Sequence, residues 1–279
     1  EEKLLSENNL KDAVRSAFLE LEGRNTIILL SDNKNEIIAA RNGSPLVIGL
    51  NTKTGEVFFS SDTLSFAPSA DKMIVIENGQ LVHFLDGEIT VFAIKTGKKI
   101  IFEIEDIKIT DNKVDKEGFA HFMLKEINEQ PLVITQVAKQ DKIAYLEFAK
   151  AIKQAKNVYT IGSGTTGIAA AQIAYYLRKF GNINVISLVG ADAQEYIPFF
   201  SSQDLLIAPS QSGETADVLE VLEVAKQKGI KIASYVNMAG STMTRMSDYQ
   251  FMAQAGPEIC VMSTKVFVSQ ISWGYLVAK

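Results

Sequence analysis

The sequence predicts an α+β part built on a layered antiparallel sheet, followed by an α/β part built on a doubly wound parallel sheet. Three observations carry this prediction. Short β-type runs separated by glycine-containing turns fill residues 26–109, whereas apolar strands alternate with helix-type segments after Asn157. The chain has 279 residues and is 47% hydrophobic, so it is long enough for about two domains with separate cores.

Short runs of β-type residues follow one another through the first part. Turn pairs such as Asn42-Gly43 and Asp86-Gly87 separate them, and glycine there allows the positive φ of tight hairpins. We therefore expect antiparallel pairing, with one amphipathic helix from Asn9 to Leu21 packed on the sheet. The expected strands are Thr26–Leu30, Glu36–Arg41, Pro45–Leu50, Glu56–Ser60, Met73–Glu77, Leu81–Leu85, Ile89–Ile94 and Ile100–Ile104.

A change of hydrophobic period marks the second part. The charged segment from Lys108 to Gly118 is typical of a connector, and apolar residues then recur at helical spacing from Phe119 to Lys156, with a break expected at Pro131. Buried strands that alternate with helix-type segments follow, which predicts a parallel sheet covered on both faces. These strands are Val158–Ile161, Val185–Val189, Leu205–Ala208 and Ile230–Tyr235.

Three turns that contain serine, threonine or glycine precede helical segments of the second part: Gly162–Gly167, Ser210–Thr215 and Val261–Lys265. In doubly wound sheets, ligands bind at the carboxyl ends of strands, where free N–H groups at helix N-termini attract anions. The Ser210–Thr215 loop contains three hydroxyls and one amide but no lysine or arginine. This composition favours the phosphate of a small phosphomonoester over the triphosphate of a P-loop, which needs a lysine.

Two other interpretations of these turns stay open. In the first, the hydroxyls only cap the helices that follow. In the second, Gly162, Gly164 and Gly167 form a dinucleotide fingerprint, since their spacing matches it, although no acidic residue is clearly placed at the end of the strand Val185–Val189.

The composition argues against several classes of function. The net charge is −5 and both signs are spread along the chain, so neither nucleic acid nor a membrane is expected as a partner. The single cysteine, Cys260, cannot form an internal disulfide, and no signal peptide or apolar stretch of about 20 residues is visible, which indicates a cytoplasmic protein. One cysteine with His83 and His121 cannot supply an ordinary zinc site or hydrolytic triad, so we expect no metal and no cofactor. We expect Cys260 to be a buried, inert thiol and His121 to be a packing or hydrogen-bonding group.

Three motifs of the second part occur in the order found in a known family: Ser210-Gln211-Ser212-Gly213-Glu214-Thr215-Ala216-Asp217, Ala255-Gly256-Pro257-Glu258-Ile259 and Ser263-Thr264-Lys265-Val266-Phe267. Together they resemble the first sugar isomerase (SIS) domain of the glucosamine-6-phosphate synthase family, the isomerizing glutamine:fructose-6-phosphate aminotransferases. The segment Phe119–Pro131 resembles the interdomain segment of that family. Upstream, Ala39–Gly49 and Ser60–Asp62 look like the later part of its glutaminase domain.

The resemblance implies an order of domains. Residues 1–112 would be the C-terminal part of a glutaminase (class II glutamine amidotransferase) domain, a partial N-terminal-hydrolase-like layered sheet. Residues 113–131 would be an interdomain linker, and residues 132–279 a first SIS domain that is truncated at its end. We therefore expect this chain to be an internal fragment.

The resemblance also assigns binding residues. In the family, the first loop of the SIS domain and the SQSGET loop bind the sugar phosphate; here Thr166 takes the place of a phosphate-contacting serine, and Met262 replaces a smaller residue. Asp62 matches the aspartate that holds the α-amino group of glutamine, although the residues alone favour a turn cap. The sugar-phosphate site is expected at Ser163, Gly164, Thr165, Thr166, Ser210, Gln211, Ser212, Thr215, Val261 and Ser263.

The activity that the resemblance implies is glutamine-dependent amination and isomerisation of fructose 6-phosphate to glucosamine 6-phosphate. In the family, an N-terminal cysteine frees ammonia from glutamine, a lysine forms a Schiff base with the sugar, and a glutamate moves the proton. The family places these residues before residue 1 and after residue 279, so we expect no catalytic residue in this segment and weak sugar-phosphate binding. A homodimer is expected for the full-length protein.

Two alternative functions stay open beside this one. A non-catalytic SIS module that senses a phosphosugar predicts a neighbouring helix-turn-helix with a basic face. Another SIS phosphosugar isomerase or deglycase has no need of the first part. The order of the glutaminase-like part, the Phe119–Pro131 segment and the SIS-like part argues against both.

Overall fold

The structure is a computed structural model that describes residues 2–7, 9–32, 35–63, 65–107, 115–140 and 142–279. The chain forms two compact units, Glu1–Asp111 and Asn112–Lys279. Residues 108–114 of the predicted connector lie outside the described residues. The domain limits implied by the family resemblance stay a prediction.

The first unit contains one α-helix, α1 (Leu10–Phe18), and two antiparallel sheets in the part that the structure describes. Asn9 caps α1, because its side chain accepts a hydrogen bond from the backbone N–H of Asp12. The five-stranded sheet has the order β1-β2-β6-β7-β8 and the four-stranded sheet the order β4-β3-β5-β9. The strands are β1 (Asn25–Leu30), β2 (Glu36–Asn42), β3 (Val47–Leu50), β4 (Val57–Ser60), β5 (Lys72–Val75), β6 (Gln80–Leu85), β7 (Glu88–Ala93), β8 (Lys99–Ile100) and β9 (Glu105–Asp106).

The five-stranded sheet is the middle layer of this unit. Successive side chains of a strand point to opposite faces, and β2 shows the consequence. Ile38 packs with Val14 and Phe18 of α1 on one face. Ala39 packs with Ile48 of the second sheet on the other face. The layered antiparallel fold predicted for this part is thus confirmed.

The strand expected at Ile100–Ile104 is wrong, because residues 101–104 are in no strand. Only Ile100 of this run lies in a strand: β8 ends there in the five-stranded sheet, and β9, in the other sheet, begins at Glu105 after the run. Ile101 and Ile104 lie between them and are 98% and 52% exposed, because the chain leaves one sheet there before it reaches the other. The remaining expected strands are present, with bounds that differ by no more than two residues.

The second unit is built on a five-stranded parallel sheet with the order β11-β10-β12-β13-β14. Its strands are β10 (Val158–Gly162), β11 (Val185–Val189), β12 (Leu205–Ser210), β13 (Lys231–Val236) and β14 (Tyr249–Met252). Its α-helices are α2 (Phe122–Ala138), α3 (Lys142–Gln154), α4 (Thr165–Lys179), α5 (Ala216–Gln227), α6 (Thr242–Met246) and α7 (Lys265–Ala278), and a 3-10 helix spans Gly190–Phe199. The expected strands and parallel pairing are confirmed.

Helices cover both faces of this sheet, as predicted. On one face, Leu205 and Ile207 of β12 pack in a core with Phe148 of α3, Ile173 of α4 and Trp273 of α7. On the other face, the alternate residues Leu206 and Ala208 pack with α5, α6 and the 3-10 helix. This alternation is why β12 is buried along its full length.

Two expectations for this unit are wrong. Pro131 does not break a helix but lies inside α2, which continues to Ala138. The strand β11 is not fully buried: Ile186 and Val189 are 36% and 54% exposed, because β11 is the edge strand of the sheet. The sequence interpretation also missed α6 and β14 (Tyr249–Met252).

None of the helices in the described part of the chain has the length and apolarity that a membrane crossing needs.

Candidate functional site

The loop after β10 is held by glycine. A Cβ atom added to Gly162 would lie 2.6 Å from the carbonyl oxygen of Thr166, so the loop and the first turn of α4 approach at backbone distance. Gly164 has φ of +58°, in the left-handed region, and is the N-cap residue of α4 without a side-chain capping bond. The predicted residues Thr165 and Thr166 form the first turn of α4. The N-terminal backbone N–H groups of this helix therefore lie at the carboxyl end of β10.

Ser163 joins this loop to the neighbouring ones. Its Oγ atom is buried and has no hydrogen-bond partner among the described residues. A Cβ atom added to Gly190, which follows β11, would lie 2.3 Å from that Oγ and 3.3 Å from Cβ of Asp217 in α5. The ends of β10 and β11 and the start of α5 thus meet around Ser163. Gly190 was not singled out from the sequence, although a glycine directly after a predicted strand is a weak signal of such close approach.

Hydrogen bonds to two of its own serine side chains shape the loop Ser210–Thr215. Ser210 is 2% exposed, and its Oγ accepts a hydrogen bond of 2.8 Å from the backbone N–H of Gly213. Ser212 Oγ accepts one of 3.1 Å from the backbone N–H of Glu214. Each hydroxyl keeps its own hydrogen available for donation to an acceptor. Thr215 is the N-cap residue of α5, but its side chain makes no capping hydrogen bond.

The segment after β13 supports the Ser210–Thr215 loop. The backbone N–H of Met243 donates to the carbonyl oxygen of Gly213 at 3.0 Å, and that of Thr242 donates to Oε1 of Glu214 at 2.7 Å. Gly213 has φ of +69°, and a Cβ atom there would lie 2.2 Å from Oγ of Ser241. The loop shape therefore depends on a glycine at this position and on a contact with residues about 30 positions further along the chain.

The third loop precedes α7 and is organised by polar side chains. Asn237 Nδ2 donates to the carbonyl oxygen of Gly256 at 2.8 Å. Glu258 Oε1 accepts hydrogen bonds from the backbone N–H groups of Thr264, at 2.8 Å, and Val266, at 3.2 Å. Glu258 thus supplies an acceptor for N–H groups at the start of α7, where the N-cap residue Thr264 makes no side-chain capping bond. The Oγ of Ser263 is buried without a partner among the described residues.

The helices α4 and α7 begin at the same end of the sheet. A Cβ atom added to Gly274 would touch Ile173 at 2.5 Å, and one added to Gly181 would lie 3.7 Å from the carbonyl oxygen of Ala278. The two helices therefore run in the same direction, and their N-termini lie on the same side as the carboxyl ends of the strands. All three predicted loops are found at that edge, the arrangement in which doubly wound sheets bind ligands.

The capping interpretation of the hydroxyls loses support at two N-cap positions. Thr215 and Thr264 are the N-cap residues of α5 and α7, and neither hydroxyl makes a side-chain capping hydrogen bond. In contrast, Ser241 caps the short helix α6 by accepting from the backbone N–H of Thr244. The roles of the predicted sugar-phosphate residues, including the fully exposed Val261, stay a prediction.

In the first unit, Asp62 closes a turn. Its Oδ1 accepts a hydrogen bond of 3.0 Å from the backbone N–H of Ser65, whose Oγ lies 2.7 Å from Oγ of Ser60. The turn cap that the residues alone favoured is confirmed. A contact of Asp62 with glutamine stays a prediction, and Leu64 of the same turn lies outside the described residues.

The cysteine and the histidines of the sequence do not form a reactive cluster. Cys260 is half-buried rather than buried as expected, because it lies in the open loop before α7. His121 is exposed and its side chain does not cap α2, so its expected role as a packing or hydrogen-bonding group stays a prediction. His83 Nε2 lies 2.8 Å from Oε1 of Glu36. Among the described residues, no group of three or more His, Cys, Asp and Glu side chains is arranged to hold a metal ion.

Comparison with known proteins agrees with the resemblance found in the sequence motifs. The model of the SIS domain family matches residues 151–279. The glutamine–fructose-6-phosphate aminotransferase [isomerizing] of Pyrococcus horikoshii is 34% identical over 281 residues, which cover 100% of this chain and 47% of that protein. The protein of the same name from Methanocaldococcus jannaschii is 35% identical over 274 residues, which cover 96% of this chain and 24% of that protein.

A solved structure agrees with the sequence matches. The C-terminal domain of glucosamine-fructose-6-phosphate aminotransferase from Francisella tularensis superposes with a TM-score of 0.51 at 28% identity, over 58% of this chain and 48% of that one. The chain spans less than half the length of the two curated relatives named above. The resemblance predicted from the sequence motifs is confirmed: residues 151–279 match the SIS domain family, and the whole chain is similar to a segment of the glutamine–fructose-6-phosphate aminotransferases.

Proposed function

We propose that this chain is the part of a glutamine-dependent fructose-6-phosphate aminotransferase that carries the phosphosugar loops of its SIS domain and part of its glutamine site. The relatives that match along the chain carry the name of this enzyme, a transferase that aminates and isomerises the sugar phosphate to glucosamine 6-phosphate. The observation that carries the proposal is the meeting of three hydroxyl-containing loops at the carboxyl edge of one parallel sheet.

The chemistry of these loops suits a phosphomonoester. The N-terminal N–H groups of α4 and α5 point toward the carboxyl edge of the sheet, where the helix dipoles favour a dianion. The hydroxyls of Ser163, Ser212 and Thr215 add neutral donors, and no lysine or arginine lies in the Ser210–Thr215 loop. The remaining predicted groups, Gly164, Thr165, Thr166, Ser210, Gln211, Val261 and Ser263, belong to the same proposed site.

The assignments outside these three loops rest on similarity to the relatives alone. Asp62 is assigned to the α-amino group of glutamine, in a unit proposed as the later part of a glutaminase domain. Residues 132–279 are proposed as the first SIS domain, with residues 113–131 as the segment that joins it to the first unit. Homodimer formation and a cytoplasmic location belong to the same proposal. The sensor alternative is not favoured, since the described part of the first unit consists of two antiparallel sheets, α1 and a 3-10 helix at Glu2–Leu5 rather than a helix-turn-helix.

The test is an assay of the full-length protein that contains this chain, with fructose 6-phosphate and glutamine as substrates and glucosamine 6-phosphate as the measured product. Ser212→Ala removes one donor to a charged phosphate, worth about 1.5 to 3 kcal/mol, so KM for fructose 6-phosphate should rise roughly 10- to 100-fold. Ser202→Ala, at an exposed serine of the same unit, is the matched control and should leave KM unchanged. Absence of the product, or an unchanged KM in Ser212→Ala, would contradict the proposal.

A further inference from the structure

A glutamate of the Phe119–Pro131 segment holds the loop before α7. Glu126 of α2 is only 2% exposed although its side chain is charged. Its Oε1 accepts hydrogen bonds from the backbone N–H groups of Ile259, at 2.7 Å, and Cys260, at 3.2 Å. These donors are about 130 positions away in sequence, so the contact fixes the loop to a distant helix.

Apolar packing does little to fix this loop. Ile259 and Met262 are 40% and 60% exposed, and Val261 is fully exposed. The backbone is held instead by two buried carboxylates: Glu126 binds its first half, and Glu258 binds the N–H groups of Thr264 and Val266 at its end. Removal of the Glu126 carboxylate takes the shared acceptor from two part-buried N–H groups, so both hydrogen bonds to the loop are lost together.

A second contact reinforces the same junction. Glu129 lies three positions after Glu126 on α2, so the two side chains project from the same face of the helix. Its Oε2 lies 2.5 Å from Nζ of Lys265, which is 4% exposed and begins α7. The α2 helix therefore contacts both the loop 259–264 and the first residue of α7.

We propose that Glu126 is a positioning residue of the phosphosugar site, which acts by fixing the backbone of residues 259–264 and thereby the side chains of Val261 and Ser263. The inference rests on the proposed function, because it takes that loop as a wall of the sugar site. It gives the Phe119–Pro131 segment a role in substrate binding rather than only in joining two parts of the chain.

The experiment uses the 279-residue chain and measures fructose 6-phosphate affinity by NMR titration, together with amide hydrogen exchange of Ile259 and Cys260. Glu126→Ala should weaken the affinity about tenfold or more and speed the exchange of both amides by a similar factor, because both donors lose their acceptor. Glu126→Asp retracts the carboxylate by one methylene and should weaken binding less. Glu126→Gln keeps an oxygen that accepts both bonds and should stay within about threefold of the unaltered chain.

Val133→Ala separates positioning from stability. Val133 is a 2% exposed residue of α2 in the core of the second unit, and it makes none of the hydrogen bonds that hold the loop, so its truncation lowers stability and leaves those bonds in place. Affinity in this variant should equal that of the unaltered chain.

The outcomes distinguish the two proposals. If the unaltered chain binds fructose 6-phosphate and the Glu126→Ala and Glu126→Asp variants bind it equally well, the positioning role is overturned and the proposed function stands. Equal losses in Val133→Ala and Glu126→Ala overturn the positioning role as well, since general destabilisation then accounts for both. If the unaltered chain does not bind fructose 6-phosphate, the proposed site is wrong and the positioning role falls with it.

Discussion

Glycines in the second unit allow loops from different strands to approach at distances that a side chain would prevent. Gly213 is the clearest case, because it combines φ of +69° with a Cβ position 2.2 Å from Ser241 Oγ. Gly240 has nearly the same backbone conformation, φ of +70°, but nothing lies within 4 Å of its Cβ position. Variants at these two glycines therefore separate the effect of backbone conformation on stability from the effect of crowding.

We predict that Gly213→Ala destabilises the second unit more than Gly240→Ala does. The left-handed conformation alone costs a non-glycine residue about 1 to 3 kcal/mol, and this cost applies to both variants. Only Gly213→Ala adds a clash, which displaces Ser241 and the Ser210–Thr215 loop. Urea unfolding measures the two free energies, and equal losses would show that the close approach to Ser241 is not a constraint.

At this scale the sequence selected the hydroxyls of the proposed site but not the residues that support their loops. The hydroxyls of Ser210 and Ser212 lie within one short motif, so local composition was enough to select them. Ser241 and Glu126 act on these loops from positions far away in the chain. No local pattern marks such residues, because what selects them is a contact made only in the folded chain.

Helix α2 shows how tertiary packing overrides a local signal. Pro131 has no backbone N–H to donate, and its ring clashes with the preceding turn, yet α2 continues through it to Ala138. The packing of Val133 and Val137 in the core and the contacts of Glu126 and Glu129 hold both halves of the helix in place. A sequence pattern gives the local preference for a break but not these compensating contacts.

We predict that Pro131→Ala raises the stability of the second unit by about 1 to 2 kcal/mol. The alanine restores a backbone N–H and has the higher helix propensity, while the loss of proline rigidity in the unfolded chain offsets part of the gain. Leu132→Ala, at the next and 61% exposed position, is the control and should change little. A lower stability of Pro131→Ala would mean that the packing of α2 requires the proline.

The junction between β13 and β14 contains a carboxylate whose effect depends on pH. Asp248 accepts hydrogen bonds from the backbone N–H of Ile232 at 3.0 Å and from Lys231 Nζ at 2.7 Å. Burial raises the pKa of the Asp248 carboxyl, but these hydrogen bonds outweigh burial and hold that pKa below its ordinary value. A lowered folded-state pKa adds stability above the unfolded-state pKa of about 3.9, and this stability is lost as the pH falls through the folded-state pKa.

We predict that Asp248→Ala lowers the unfolding free energy by about 1 kcal/mol at pH 7 and by progressively less below about pH 4. Glu147→Ala, at an exposed carboxylate of α3, should show a smaller effect at pH 7. Chemical denaturation at several pH values provides the comparison. A difference between Asp248→Ala and the unaltered chain that stays constant down to pH 3 would contradict the assignment.

The elements also show why strand burial was overestimated at the sheet edge. Val185–Val189 is as apolar as the central strands, so its composition predicts full burial. This strand, β11, lies at the edge because the chain crosses over after it and β12 pairs with the other side of β10. The sequence of one strand does not encode that crossover. The strand expected at Ile100–Ile104 was wrong for a similar reason, because the chain passes from one sheet to the other there.

At the scale of the whole molecule, each unit has its own hydrophobic cores. Those of the second unit lie on the two faces of its parallel sheet, and those of the first unit lie on the two faces of its five-stranded sheet. The change of hydrophobic period along the chain was enough to predict this division into two fold classes. The function required the motif resemblance and the comparisons, because a doubly wound sheet hosts many chemistries.

We predict that residues 112–279 fold when they are expressed without the first unit. A sheet covered on both faces buries its apolar residues within this segment alone. Circular dichroism with cooperative thermal unfolding is the readout. A segment that shows helix content but no cooperative transition would mean that its core depends on the first unit.

Binding of a phosphosugar by the three loops at the carboxyl edge of the parallel sheet can be tested on single residues. The most direct measurement is a map of amide chemical-shift changes in the 279-residue chain on titration with fructose 6-phosphate, with a nicotinamide dinucleotide as the comparison ligand. We expect fructose 6-phosphate to shift amides of Gly162–Gly167, Ser210–Thr215 and Val261–Lys265, and the dinucleotide to shift none of them. Shifts in these loops with the dinucleotide alone, or no shifts there with fructose 6-phosphate, would contradict this prediction.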